Sequence, residues 1–136
     1  MNPKTAIKIM LLILIAVIVF HVSIILKLIP YEITWGGRLK NDSEMYVFET
    51  ISILINLFLF SILLIKGKYI GEMIPLKIVN IILWGFLILF GLNTIGNIFA
   101  ETNFEKYFTL LTLANTFLIW IILTKDKKRT HHKELS

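Results

Sequence analysis

PYEITWGGRLKNDSEMYVFETISILIN, residues 30–56, is the stretch on which the fold turns, because it breaks a long apolar run with a polar loop and then returns to apolar sequence. Its first half holds Pro30, the Gly36-Gly37 pair and the charges of Glu32, Arg38, Lys40, Asp42 and Glu44. Its second half opens a helix that carries Glu49 and Asn56 into apolar surroundings. A polar loop between two apolar segments, each long enough for a helix, reads as the turn of a membrane hairpin.

Upstream, residues 9–26 contain only His21 and Ser23 as polar groups. At 1.5 Å per residue that run covers most of a hydrocarbon core about 30 Å thick, and its flanks complete a first span over residues 7–29. It exceeds the apolar region of a cleaved leader and is followed by no small-x-small site, so it is expected to stay in the chain. The second span is expected over 47–65, closed by Lys66-Gly67-Lys68, with Gly67 in the stop position and the lysines in headgroups. A turn broken by Gly71 and Pro75 leads to a third span over 78–99. A short polar turn then leads to a fourth over 107–124, followed by a basic tail, 125–136, expected to be irregular beyond Thr130. The expected fold class is all-α: an integral membrane four-helix bundle of two transmembrane hairpins, forming one membrane domain.

Composition agrees. The 136 residues are 57% hydrophobic and 17% charged, with mean hydropathy +0.80, whereas soluble domains carry about 25% charged residues. The net charge of +5 reads as topology rather than affinity for nucleic acid, because the bases cluster at helix ends. Lys4, Lys8, Lys66, Lys68, Lys77, Lys125, Lys127, Lys128, Arg129 and Lys133 fall on one side, against Lys27, Arg38, Lys40 and Lys106 on the other. Both termini are therefore expected in the cytoplasm. The preference for Lys over Arg and the abundance of Ile suggest a bacterial inner membrane. Six of the nine acids, Glu32, Asp42, Glu44, Glu49, Glu101 and Glu105, lie on the opposite face from the termini. There is no cysteine, which removes thiolate chemistry and disulfides. The starts of spans two and four echo one another, Glu44-Met-Tyr46-Val-Phe48 with Asn56 against Glu105-Lys-Tyr107-Phe108 with Asn115, a pattern that a duplicated hairpin would leave.

The polar residues within the spans gather toward the outer leaflet. His21 lies in the outer half of span one; Glu49, Ser52 and Asn56 share one face of span two; Asn93, Asn97 and Glu101 share one face of span three; Thr109, Thr112 and Thr116 share one of span four. Turned inward, these stripes form a polar seam; turned to lipid, a central charge costs about 2.5 to 3.5 kcal/mol. Each residue has an ordinary structural use as well. The Asn and Thr groups serve as interhelical hydrogen bonds, and Gly85, Gly91 and Gly96 as close-contact points between helices. Lys27 reaches outer headgroups or pairs with Glu49. Glu49 faces the positive end of a helix dipole, and His21 finds a structural partner. The first loop either caps the bundle mouth or anchors Trp35 and Tyr31 in the interface, with Arg38 free to meet a lipid phosphate or Glu32. Asn80, near the inner start of span three, stands apart.

In size and four-span layout the chain resembles small membrane families such as the DoxX-like and emopamil-binding-like groups. The resemblance is architectural, and no site residue is carried over from it. The residues themselves support a non-catalytic protein with an outer-leaflet pocket for a small amphiphile or a docking membrane subunit. His21, Glu49, Asn56, Asn93 and Asn97 would line it, with Trp35 and Arg38 at the rim. Two other readings stay open: an enzyme on a lipid or quinone-like substrate, with His21 and Glu49 as catalytic acid-base pair, and a small transporter or proton-coupled accessory subunit. No cofactor is expected. No metal is expected either, since His21 has no second ligand nearby and His131-His132 lies in the tail.

Overall fold

In a computed structural model, which describes residues 1–100 and 102–135, helix is the only regular secondary structure among the described residues. Four long helices, α1 (Pro3–Ile25), α2 (Asp42–Lys66), α3 (Leu76–Ile98) and α4 (Asn103–Glu134), form the bundle, and two single 3-10 turns occupy the first loop. Twenty-three to twenty-five residues rise about 35 to 38 Å, more than a hydrocarbon core. All four helices are long and apolar enough to cross a membrane. Large side chains such as Leu12, Leu54, Ile81, Leu92 and Leu110 point outward, exposed. In water such a surface would aggregate; in lipid it is the solvated face. The chain is a membrane protein built as a four-helix bundle.

Local chemistry fixes the helix ends. Asn2 caps α1 by accepting from the Lys4 N–H, and Pro3 occupies a first-turn position where no N–H is needed. Asn41 caps α2 by accepting from the Glu44 N–H at 2.9 Å, while the Glu44 carboxylate accepts from the Lys40 N–H at 2.9 Å. Thr102 caps α4 by accepting from the Glu105 N–H, while its hydroxyl donates to the Glu105 carboxylate at 2.9 Å. The cap at Asn41 starts α2 five residues earlier than hydropathy alone indicates, because the first turn of this helix is polar. Glu49 is thus two turns into α2, beyond the reach of the dipole at its N-terminus.

At their C-termini α1 and α2 close alike. Lys27 (φ 58°) and Lys68 (φ 60°) adopt the left-handed conformation, and the next residue's N–H reaches back to Ser23 and to Leu64, the paired bonds of a Schellman stop. The left-handed position after α2 therefore belongs to Lys68 and not to Gly67, whose φ is −78°. Gly67 is needed for room instead: a Cβ there would lie 2.7 Å from the Tyr69 ring. The basic tail also departs from expectation, since α4 runs on to Glu134. No Gly or Pro stops it, and Lys and His near its C-terminus complement the dipole.

α1 packs along α2, α3 along α4, and α1 against α4; α2 and α3 make the thinnest contact of any adjacent pair. The bundle divides across its length. In the half that bears the chain termini, Ala6, Met10 and Leu14 of α1, Leu59, Ile62 and Leu63 of α2, Val79 and Leu83 of α3, and Ile119 and Ile122 of α4 form a dry core. In the half that bears the first loop, the buried apolar cluster among the described residues is small, Ile24, Leu39 and Met45, and it holds the loop to α1 and α2. The glycines of α3 do not mediate close contact: a Cβ at Gly85, Gly91 or Gly96 would meet nothing within 4 Å. Gly85 and Gly96 are exposed, and the side of α3 they share is not pressed against a neighbour.

Candidate ligand cavity

Glu49 is completely buried, and both of its carboxylate oxygens are engaged. Oε2 lies 2.5 Å from His21 Nδ1 on α1, and Oε1 accepts from the Trp35 indole N–H at 2.9 Å. A carboxylate removed from water requires such partners, since an unpaired charge at this depth would cost several kcal/mol. Three segments thereby converge on one side chain. The His21 ring turns its Nδ1 to Glu49, leaving Nε2 without a partner among the described residues. Phe20 stacks beside it against Phe104 and Phe108 of α4, with ring centroids 5.7 and 5.5 Å away.

The first loop is a cap over the bundle mouth. Trp35 packs against Phe48 with centroids 5.1 Å apart, Thr34 is buried and its hydroxyl donates to the Tyr31 carbonyl at 2.8 Å. Gly37 takes a positive φ of 67°, and Trp35 does so as well at 56°. For a bulky side chain that conformation costs roughly 1 to 2 kcal/mol. It persists here because the indole is held at one end by Glu49 and on its face by Phe48.

Behind this cap a cavity of about 990 Å³ opens among the four helices. His21, Trp35, Arg38, Glu49, Asn56, Asn93 and Asn97, the residues singled out from sequence, all line it. Glu101, the last member of the stripe read along span three, falls outside the described residues. Phe86 and Phe90, with centroids 6.2 Å apart, lie on the side toward the dry core. Phe58 of α2 touches Phe86 at 6.1 Å. Beyond that contact, toward the loop, Ile55 and Ser52 of α2 and Leu89 and Asn93 of α3 line the cavity.

The asparagines do not stitch helices together. Asn56 donates its amide to the Ser52 carbonyl of its own helix at 2.8 Å, which leaves its oxygen free as an acceptor. The side chains of Asn93 and Asn97 make no hydrogen bond among the described residues. The buried bond between α3 and α4 is instead Thr94 to Thr112 at 2.9 Å, and Thr112 and Thr116 otherwise bond back to their own helix. Asn115 was missed as a site residue. It is 2% exposed, it lines the cavity, and its amide oxygen has no partner. The signal was present in the helical spacing of Thr112 and Asn115, but a stripe drawn through the three threonines passed over it.

Two cations take partners other than those expected. Lys27 pairs with Asp42 rather than with Glu49, and the Asp42 carboxylate, by hydrogen bond and charge, holds its amine above the ordinary lysine value. Lys66 does not reach headgroups. Its side chain is 4% exposed, and it donates to Asn80 at 2.7 Å on α3 and to Asp126 at 2.6 Å on α4. Lys66 is thus the middle of a three-helix tie at the terminal end, with Asn80 as its partner on α3. Arg38 stands exposed at the mouth, with no ion pair to Glu32 or to any other described residue. No protein-family model, curated protein or solved structure matches this chain.

Proposed function

We propose that this is a multi-pass protein of the bacterial inner membrane, with both termini cytoplasmic, whose outer-leaflet cavity binds a small amphiphile without chemical change. The observation that carries this reading is a volume of about 990 Å³, at the upper end of the range for small-molecule sites. It is lined on one side by phenylalanines and on the other by amides that bond to no neighbouring helix. Amides spent on helix association would be bonded across helices; these are not. The aromatic wall of Phe20, Phe104 and Phe108 suits an acyl or prenyl chain. His21, Asn56, Asn93, Asn97 and Asn115 suit its polar end, with Trp35 and Arg38 above.

The excess of lysine at the terminal end supports the orientation, and it survives setting aside Lys66, which is buried. Reporter fusions at residue 136 and within the first loop test it: signal from the loop on the cytoplasmic side would invert the proposal. Native mass spectrometry of the protein released in mild detergent tests binding. A retained amphiphile is expected; folded protein that carries none would remove the pocket's purpose. A retained protein subunit would instead favour docking.

One observation favours a second reading. A histidine held by a buried carboxylate through Nδ1, with Nε2 directed to a cavity, is the arrangement of an oriented general base. His21 would take a proton from a lipid or quinone-like substrate, while Glu49 fixes the ring and stabilises the imidazolium. Under that reading the lipid retained by a His21→Gln variant differs chemically from that retained by the wild type; identical retained species would leave the binding reading alone. A transport path is disfavoured, because Leu59, Ile62, Leu83, Ile119 and Ile122 fill the bundle between the cavity and the Lys66 tie.

A further inference from the structure

We infer that the polar end of the cavity's ligand is an uncharged hydroxyl group, so that the protein selects an alcohol-headed amphiphile over a phosphate- or carboxylate-headed one. This rests on the binding reading above and specifies its ligand class.

The first argument is charge. Glu49 is already compensated by His21 and Trp35, and Glu105 is bonded to Thr102 at the start of its own helix. Among the described residues Arg38 is the sole arginine or lysine lining the cavity, and it sits exposed at the rim beneath which the polar lining continues. Asn56 lies fourteen residues beyond the start of α2 and Asn115 twelve beyond the start of α4, which places them about 20 Å along their helices. An anionic headgroup drawn to that depth would meet amides and two carboxylates but no free cation, and would lose its hydration without compensation.

The second argument is the kind of group left unsatisfied. Asn56 has given one of its two amide hydrogens to Ser52 and offers an oxygen beside the other. Asn115 offers an oxygen with no partner although it is 2% exposed. His21 turns its Nδ1 to Glu49, and its Nε2 has no partner among the described residues. Two amide oxygens, on α2 and α4, thus border one cavity, and they call for a donor. The amide N–H groups of Asn93, Asn97 and Asn115 can in turn donate to an oxygen. A hydroxyl is the small group that both donates and accepts. An ether or ester oxygen supplies no donor, and an ionised carboxylate or phosphodiester only accepts.

The test uses three probes with the same sixteen-carbon chain, 1-hexadecanol, its methyl ether and palmitate, offered to the full-length protein in detergent and read by native mass spectrometry. Hexadecanol is expected to be retained about tenfold or more over each of the others, the size of one or two buried hydrogen bonds. Asn115→Leu and, separately, Asn56→Leu are expected to remove most of that preference while the methyl ether binds as before. Since the probe comparison is made on the wild type, a variant that fails to fold does not decide the matter. Equal retention of alcohol and methyl ether, or preference for palmitate, would overturn the hydroxyl assignment while leaving an amphiphile site standing. Retention of none of the three by folded protein would overturn both.

Discussion

Glu49 and Lys66 stand near opposite ends of α2, and each is a charged side chain buried within an apolar bundle, yet their surroundings differ in kind. Lys66 closes its end: Asn80 and Asp126 reach it from two other helices, and the apolar side chains above it are packed without interruption. Glu49 is satisfied as completely, but the partner on α1 keeps a second nitrogen for the cavity, and the helices around it stand apart. In lipid the apolar contacts between helices gain little from leaving water, because none is present; what holds the bundle is fit and hydrogen bonding. A half with both is a fastener. A half with bonded charges, unbonded amides and a void has been kept open, and the cost of leaving amides such as Asn115 unpartnered points to something that pairs with them.

The sharpest way to break this contrast is Glu49→Ala. It leaves the half-buried His21 imidazole and the Trp35 indole N–H without their shared acceptor and should cost about 3 to 5 kcal/mol, loosening the first loop; thermal unfolding in detergent, with limited proteolysis at the loop, measures it. Loss of less than about 1 kcal/mol would mean that Glu49 is not the keystone of the cap. Next in size is Ile119→Ala in the dry half, where the missing contacts should destabilise by about 2 kcal/mol or more, without changing what the cavity retains.

Asp126→Asn comes third. It leaves Lys66 buried with an amide in place of a carboxylate, but Asp126 is 47% exposed, so about 1 to 2 kcal/mol is expected rather than the full cost of an orphaned charge. Asn93→Ala in the open half should change stability by no more than about 0.5 kcal/mol while weakening ligand retention. A loss as large as that of Ile119→Ala would make the asparagines structural after all.

The smallest effect belongs to Lys27 and Asp42 at the first loop. The folded value of Lys27 is raised, so the pair's stabilisation is present below the ordinary lysine value of about 10.4 and fades as pH rises through the higher folded one. Asp42→Asn should remove that alkaline dependence, read as the slope of melting temperature between about pH 9 and 11.

Much of the site was legible because polar residues are scarce in a membrane chain and each must face something other than lipid. His21, Glu49, Asn56, Asn93 and Asn97 could be named on that ground alone, and the geometry brings them to one cavity. Asn115 was not named, although the same ground applied, because three threonines around it drew a plausible stripe of their own. The partner assignments were less accessible. Lys27 was offered Glu49 and took Asp42; Lys66 was offered headgroups and took Asn80 and Asp126. In both cases the choice turns on which side of a helix faces its neighbour, which sequence spacing leaves undetermined.

What the sequence determined unaided are the four apolar helices, the polar breaks between them and the loop-end concentration of hydrogen-bonding groups. These follow from hydropathy and spacing, which are local and additive along the chain. Tertiary structure alone decided that α2 and α3 meet thinly, that the glycines of α3 face open space and that the asparagines border a cavity instead of one another. The physical reason is that helices apolar on every side carry almost no rotational signal: lipid and protein core accept the same leucine, so only packing of the whole bundle sets which face turns inward.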